Sequence, residues 1–435
     1  MGSRADSACR MEGTGWRKSP KGITRMRNRF GTAALLAAVL LCLVKTARAE
    51  EPFPVPDGME ARVQFWVNIF TEFDAGQAVL CDGDRPERIY EVLRVEDFIS
   101  AGEWTSREKV EALKPEKDRI SEILKELAVR QIPGSALTDE QRRLLRLFGE
   151  FPSTRELLRA ADVVRTQLGV KQAFREGLVR SGRYVPFIMR ILADAGLPRE
   201  LAYLPHVESS FNPEAASAAG AVGMWQFTKS TGRIFMTIDG RIDERKDPFL
   251  SAAAALRFLK SNFDSLGNWP LAVTAYNHGK LGIRRAVREV GTADIGRIIR
   301  EYQGPSFGFA SKNFYLEFLA ALRVAENAHA YFDSLVLDPP LNFQTVQLAS
   351  PATVGSLLDE YALADSVFLR FNPAIARRAG LASRMLPAGF RIKLPPGTLM
   401  EGPAHYVLAM GAMRSAVSDS TAVIREQTVS PGDIL

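Results

Sequence analysis

The segment from Asp247 to Gly279 constrains the fold more than any other part of the chain. Asp247-Pro248 reads as an N-cap followed by proline at the first helical position, where a missing N–H costs nothing. The run FLSAAAALRFLKSNFDSLG then places Ala252, Leu256, Leu259, Phe263 and Leu266 along one stripe, and Gly267-Asn268 closes it. Pro270 opens a second short helix, PLAVTAYNHG, which Gly279 ends. Alanines on the longer helix permit close helix-helix approach. Helices packed around one core are the expected outcome.

The flanking text agrees with a mainly α chain. Between Val63 and Ala195, the stretches VQFWVNIFTEF, SREKVEALKPEKDRISEILKELAVR, TDEQRRLLRLFGEF and STRELLRAADVVRTQLGVKQAFREGLVRSG recur near a helical period. Several begin with Ser, Thr or Asp before a Glu, as capped helices do. A further helix, SKNFYLEFLAALRVAENAHAYF, follows the loop YQGPSFGFA. After Leu337 the pattern reads strand, two helices, strand, punctuated by Pro and Gly.

The first residues are not fold. Arg25, Arg27 and Arg29 precede the apolar run TAALLAAVLLCLV, and Ala47-Arg48-Ala49 follows. A basic segment, a short apolar segment and an A-x-A site read as a secretory signal peptide over residues 1–49, with an uncleaved N-terminal anchor as the alternative. That leader also accounts for the basic charge. The whole chain is +6, but the leader holds ten Lys/Arg against two Asp/Glu, which leaves 46 basic and 48 acidic residues. A nucleic-acid partner is therefore not expected. Cys9 and Cys42 leave with the leader, so Cys81 has no intramolecular disulfide partner and packing alone must stabilise the exported chain. His206, His278, His329 and His405 show no metal-ligand spacing, so neither a metal nor another cofactor is expected.

Three blocks in the middle region are chemically unusual: ESSFN from Glu208, SAAGAVGMWQFTKSTG from Ser217, and AYNHG from Ala275. Glu208 lies between Val207 and Phe211. A carboxyl group held against apolar surface has its charged form disfavoured, and can then donate and retrieve a proton near neutral pH. Gly220 and Gly223 would let backbone approach a ligand closely. Trp225 and Gln226 either offer an apolar face beside an amide, which suits a sugar ring, or Trp225 is core. Tyr276 and Asn277 end a helix, where a buried Tyr and a capping Asn are equally ordinary.

Together and in order, these blocks resemble the catalytic domain of the lytic murein transglycosylases, an SLT family that shares the goose-type lysozyme fold. The MWQF variant and the preceding LPRELAYLPHVES are most similar to one membrane-bound subgroup of that family. The resemblance implies Glu208 as the catalytic acid/base, Ser217 and Gln226 as contacts to the muramic acid ring or its N-acetyl group, Tyr276 and Asn277 as the pair lining the cleft, and Gly223 as the position that lets glycan approach. It implies cleavage of the β-1,4 bond between N-acetylmuramic acid and N-acetylglucosamine in peptidoglycan strands without water, leaving a 1,6-anhydro end. No Asp or Glu inside the three blocks offers a second catalytic carboxylate. A lysozyme-type hydrolase and a non-catalytic peptidoglycan-binding protein remain as alternatives.

The chain departs from the family at the late helix. ASKNFY puts Ala310 where Glu is common and Phe314 where Tyr is common, with Tyr315 one residue on. The expected organisation is a helical N-terminal region (50–195), a lysozyme-like catalytic domain (196–334), a small α+β segment resembling a degenerate LysM module (335–397), and a linker with the start of a LysM module (398–435). The expected location is the periplasm or cell envelope, with free and peripherally membrane-attached forms both open.

Overall fold

Alternation of apolar residues along helical and extended segments builds the chain around three cores. The computed structural model describes residues 51–100, 102–129, 137–375 and 380–399. The expected leader and the stretch from 400 onward lie outside the described residues.

The helices of the central region that position the site include α1 (Glu60–Thr71), α2 (Pro205–Ser209), α3 (Pro248–Leu266), α4 (Trp269–His278) and α5 (Phe309–Glu326). Helix α3 forms as its sequence suggests. The Asp247 carboxylate accepts from the Phe249 and Leu250 amides at 3.0 and 3.1 Å, and Gly267 ends the helix at φ 83. Ala252, Ala254, Ala255, Leu256 and Leu259 are buried, and the packed face admits α4. Asn262, fully buried on α3, donates to the Ala272 carbonyl of α4 at 3.3 Å. Helix α5 packs on both α1 and α4, so residues far apart in sequence close one core that runs from Phe53 to Phe343.

The N-terminal region holds more than helices. Strands β1 (Gln77–Asp82), β2 (Ile89–Arg94) and β3 (Val164–Leu168) form an antiparallel sheet in the order β2-β1-β3, with Val79 opposite both Val92 and Gln167. The long run from Ser153 to Gly182 is therefore two helices, Thr154–Asp162 and Lys171–Ser181, separated by β3. Tertiary pairing decides this: VRTQL completes the edge of β1, and that gain outweighs the local helical period. The caps expected at Thr138 and Ser153 hold, while the helix expected to open at Ser106 is capped one residue earlier, by Thr105. Thr105 with Glu108 and Thr138 with Gln141 each form a reciprocal capping box, and the Ser153 hydroxyl accepts from the Glu156 amide at 3.1 Å.

The C-terminal segment follows the expected strand, two helices, strand. Strands β4 (Gln344–Gln347) and β7 (Arg391–Leu394) pair antiparallel with Val346 opposite Ile392, while β5 (Ala352–Thr353) pairs with β6 (Met385–Leu386). Helices Val354–Glu360 and Asp365–Phe371 cover a separate core of Leu357, Phe368, Ile375, Ile392 and Leu394.

Candidate active site

Glu208 sits on α2, a single turn opened by Pro205. The turn ends abruptly, because Ser210 and Phe211 both adopt left-handed backbone at φ 49 and φ 57. Such conformations cost on the order of 1 kcal/mol or more each for non-glycine residues and persist only where the surroundings hold them. Here the Ser210 carbonyl accepts from Arg180 at 2.9 Å, and Gly177 leaves the space, since a Cβ there would lie 2.9 Å from Ser210 Cβ. Phe211 is fully buried with its ring 4.6 Å from that of His206.

The Glu208 carboxyl is thereby aimed inward. Both oxygens are shut off from solvent and neither has a hydrogen-bond partner, although part of the residue remains open at the surface. Burial raises its pKa well above the ordinary carboxylate value, and the nearby Glu317 carboxyl adds to the rise. Glu317, on α5, is 8% exposed, and burial lifts its pKa to about 8 against the opposing Arg165 guanidinium. Two neighbouring carboxyl groups thus each favour their protonated form near neutral pH. The sequence reading missed Glu317. Its signal is a lone charge inside the apolar run NFYLEFLAAL.

The Gly-rich block forms a tight loop beside α2. Ser217 and Ala221 bond through their backbones at 2.9 Å, and the Ser217 hydroxyl accepts from the Ala221 amide at 3.1 Å, so its oxygen serves its own turn. Gly223, at φ 86, has a structural requirement of its own. A Cβ built there would lie 1.9 Å from the Arg245 carbonyl oxygen, so the glycine is required by contact with this chain's own backbone. Arg245 in turn donates to the carbonyls of Gly220 and Phe227, each at 3.1 Å, and holds the loop closed. Trp225 is fully buried and belongs to the core, so it offers no sugar-facing surface.

Gln226 also takes a left-handed conformation, at φ 46, and its amide nitrogen donates to the Gly223 carbonyl at 2.8 Å. The Tyr276 hydroxyl donates to the Trp225 carbonyl at 2.8 Å. Gln226, Tyr276 and Asn277 line one pocket together with Phe227, Thr231 and Phe258. Burial raises the Tyr276 pKa well above its ordinary value, with the Glu208 carboxyl contributing. The pocket and the acid therefore meet at Tyr276. Ser217 does not line this pocket. Tyr315 is fully buried, and its hydroxyl donates to the Pro54 carbonyl at 2.8 Å, a tie to the N-terminal segment.

Packed helices that hold the proton-retaining Glu208 carboxyl inward, with Glu317 beside it, agree with a lysozyme-like domain. Residues 186–299 match the family model described as the transglycosylase SLT domain. The membrane-bound lytic murein transglycosylase D of Escherichia coli strain K12 is 30% identical over 217 residues, which cover 47% of this chain and 45% of that protein. The protein of the same name from Escherichia coli O6:H1 matches equally. The matched region thus spans about half the length of these curated relatives.

Proposed function

We propose that this protein is a peptidoglycan lytic transglycosylase with Glu208 as its single acid/base. The observation that supports this best is an unpartnered carboxyl, shut off from solvent and biased toward its protonated form, next to a pocket lined by Gln226, Tyr276 and Asn277. In the reaction, Glu208 donates its proton to the glycosidic oxygen as the C1–O bond of N-acetylmuramic acid breaks. The resulting carboxylate then takes the proton of the same sugar's C6 hydroxyl while O6 bonds to C1. No water is consumed, and the acid is restored for the next turnover. The substrate's acetamido oxygen stabilises positive charge at C1, as in substrate-assisted glycosidases.

Glu317 bears on the hydrolytic alternative. Activating a water requires a charged carboxylate across the sugar. Glu317 is deeply buried and its raised pKa favours the neutral form at pH 7, which does not suit that role. The strand, two helices and strand from β4 to β7 support a LysM-like reading of the C-terminal segment. An export leader and the named relatives support an envelope location.

Digestion of purified sacculi followed by mass spectrometry tests the proposal. Anhydromuropeptides from the wild type, and none from Glu208→Gln, are expected. Reducing muropeptides would instead identify a hydrolase, and no release at all a wall-binding protein.

A further inference from the structure

The pocket residue Asn277 is held by two neighbours outside the family pattern. Its Oδ1 accepts from the Ser311 hydroxyl at 3.2 Å, and Ser311 Oγ lies 3.0 Å from His278 Nδ1. Ser311 is on α5, while Asn277 and His278 end α4, so the contact also joins the two helices. His278 is 4% exposed and Ser311 6%, which leaves water little access to either. A serine hydroxyl has one hydrogen. With that hydrogen on Asn277 Oδ1, Ser311 accepts from His278 and Nδ1 carries the ring proton; the opposite amide orientation pairs with an Nε2–H ring, so tautomer and amide are coupled.

Space and charge fit a neutral ring fixed in place. A Cβ at Gly282 would lie 2.5 Å from His278 Nε2 and Cδ2, so the glycine makes room for the ring. Phe307 packs edge-on against it at 5.0 Å. Burial lowers the His278 pKa to about 4, with Arg285 contributing, so the ring is neutral and has a single N–H near neutral pH.

We infer that His278 and Ser311 are positioning residues that fix the amide of Asn277, so that its oxygen faces α5 and its NH2 group faces the pocket. The pocket then presents a donor to a carbonyl oxygen on the bound saccharide, the chemistry of an acetamido group. This rests on the proposed function for its substrate. An amide free to turn would present its oxygen part of the time and repel that acceptor.

Two measurements on the exported chain test it. Nitrogen-15 NMR of His278 is expected to report a proton on Nδ1, and an Nε2–H tautomer would overturn the inference. With soluble uncrosslinked glycan strands, Ser311→Ala is expected to raise KM about two- to tenfold, from an amide turned half the time to one turned almost wholly away, with kcat unchanged. Ser311→Thr, which keeps the hydroxyl, should restore KM. An unchanged KM in Ser311→Ala, or a fall in kcat and Tm that threonine does not rescue, would overturn it. Should the wild type release no product, the proposed activity fails separately. The tautomer and the affinity of wild type and Ser311→Ala for triacetylchitotriose then decide the inference by the same criteria.

Discussion

Ser209 Oγ donates to the Met224 carbonyl at 2.8 Å and accepts from the Asn212 amide at 3.1 Å. One hydroxyl thus joins the turn that carries Glu208 to the loop that carries Gln226. Ser209→Ala leaves the Met224 carbonyl and the Asn212 amide without this partner, which costs about 1–3 kcal/mol where the groups are buried. Urea unfolding should show that loss, and anhydromuropeptide release should fall with it, because the two segments no longer share a fixed distance.

Glu208→Gln separates chemistry from stability. An amide cannot donate and recover a proton, so product release should fall by about 10²–10⁴-fold, the usual share of general acid/base catalysis. The fold should not suffer. The native site favours a neutral carboxyl, and glutamine is neutral at every pH. Thermal unfolding at pH 8 is expected to show the variant at least as stable as the wild type.

Stability should form a bell in pH, and the sign follows from four buried groups. Glu208 and Glu317 have raised native pKa values, the latter about 8. Their contribution is fully present below the unfolded value near 4.5 and is lost as pH rises toward the native value. His206 and His278 are lowered to about 3 and about 4 by burial. Their contribution is present above about 6.5 and is lost as pH falls toward those values. The midpoint of thermal unfolding should therefore peak between about pH 5 and 7. Glu317→Gln should flatten the fall on the alkaline side and leave the acid side unchanged; an identical alkaline limb would show that Glu317 does not titrate in this range.

The helices, their caps and Glu208 were legible in the sequence because each depends on neighbours within a few residues. Thr105, Thr138 and Asp247 cap helices by local hydrogen bonds. What was hidden depends on partners far along the chain. VRTQL becomes β3 because β1 lies about eighty residues upstream in the sequence and needs an edge. Glu317 meets Glu208 because α5 packs on α2. His278 shows no pattern in the sequence because its partner, Ser311, lies 33 positions on. Trp225 shows the opposite case: a residue type suited to sugar binding is used wholly as core.

Gly223→Ala should be among the most damaging single substitutions in the central region. The new methyl would sit 1.9 Å from the Arg245 carbonyl oxygen, at a φ of 86 that alanine rarely adopts. Backbone lies on both sides, so relief requires the loop from Ser217 to Phe227 to move as a unit. A loss above about 3 kcal/mol is expected from overpacking and backbone strain together. Gly220→Ala gives the control. Its φ is 81, but nothing lies within 4 Å of the added Cβ. It should cost only the conformational share of about 1 kcal/mol or slightly more. Equal midpoints in urea for the two variants would show that Arg245 does not set the loop.

Lys393 on β7 pairs with Asp247 at the start of α3, and both side chains are almost wholly buried. The ammonium also lies 5.8 and 5.7 Å from the rings of Phe249 and Phe343. Asp247 therefore has two duties, capping α3 and binding the C-terminal segment to it. Removing the cation leaves a buried carboxylate with only backbone amides to satisfy it, so Lys393→Met should cost about 3–5 kcal/mol. Asp247→Asn keeps a capping oxygen but strands the ammonium. The double variant should recover much of either loss, since two neutral groups replace two charges and the cap is retained. A double-mutant cycle in urea measures that coupling. Additive losses would mean that the two charges act independently, and that the C-terminal segment is held instead by its backbone contacts, such as the Asp243 amide to the Ala374 carbonyl at 2.8 Å.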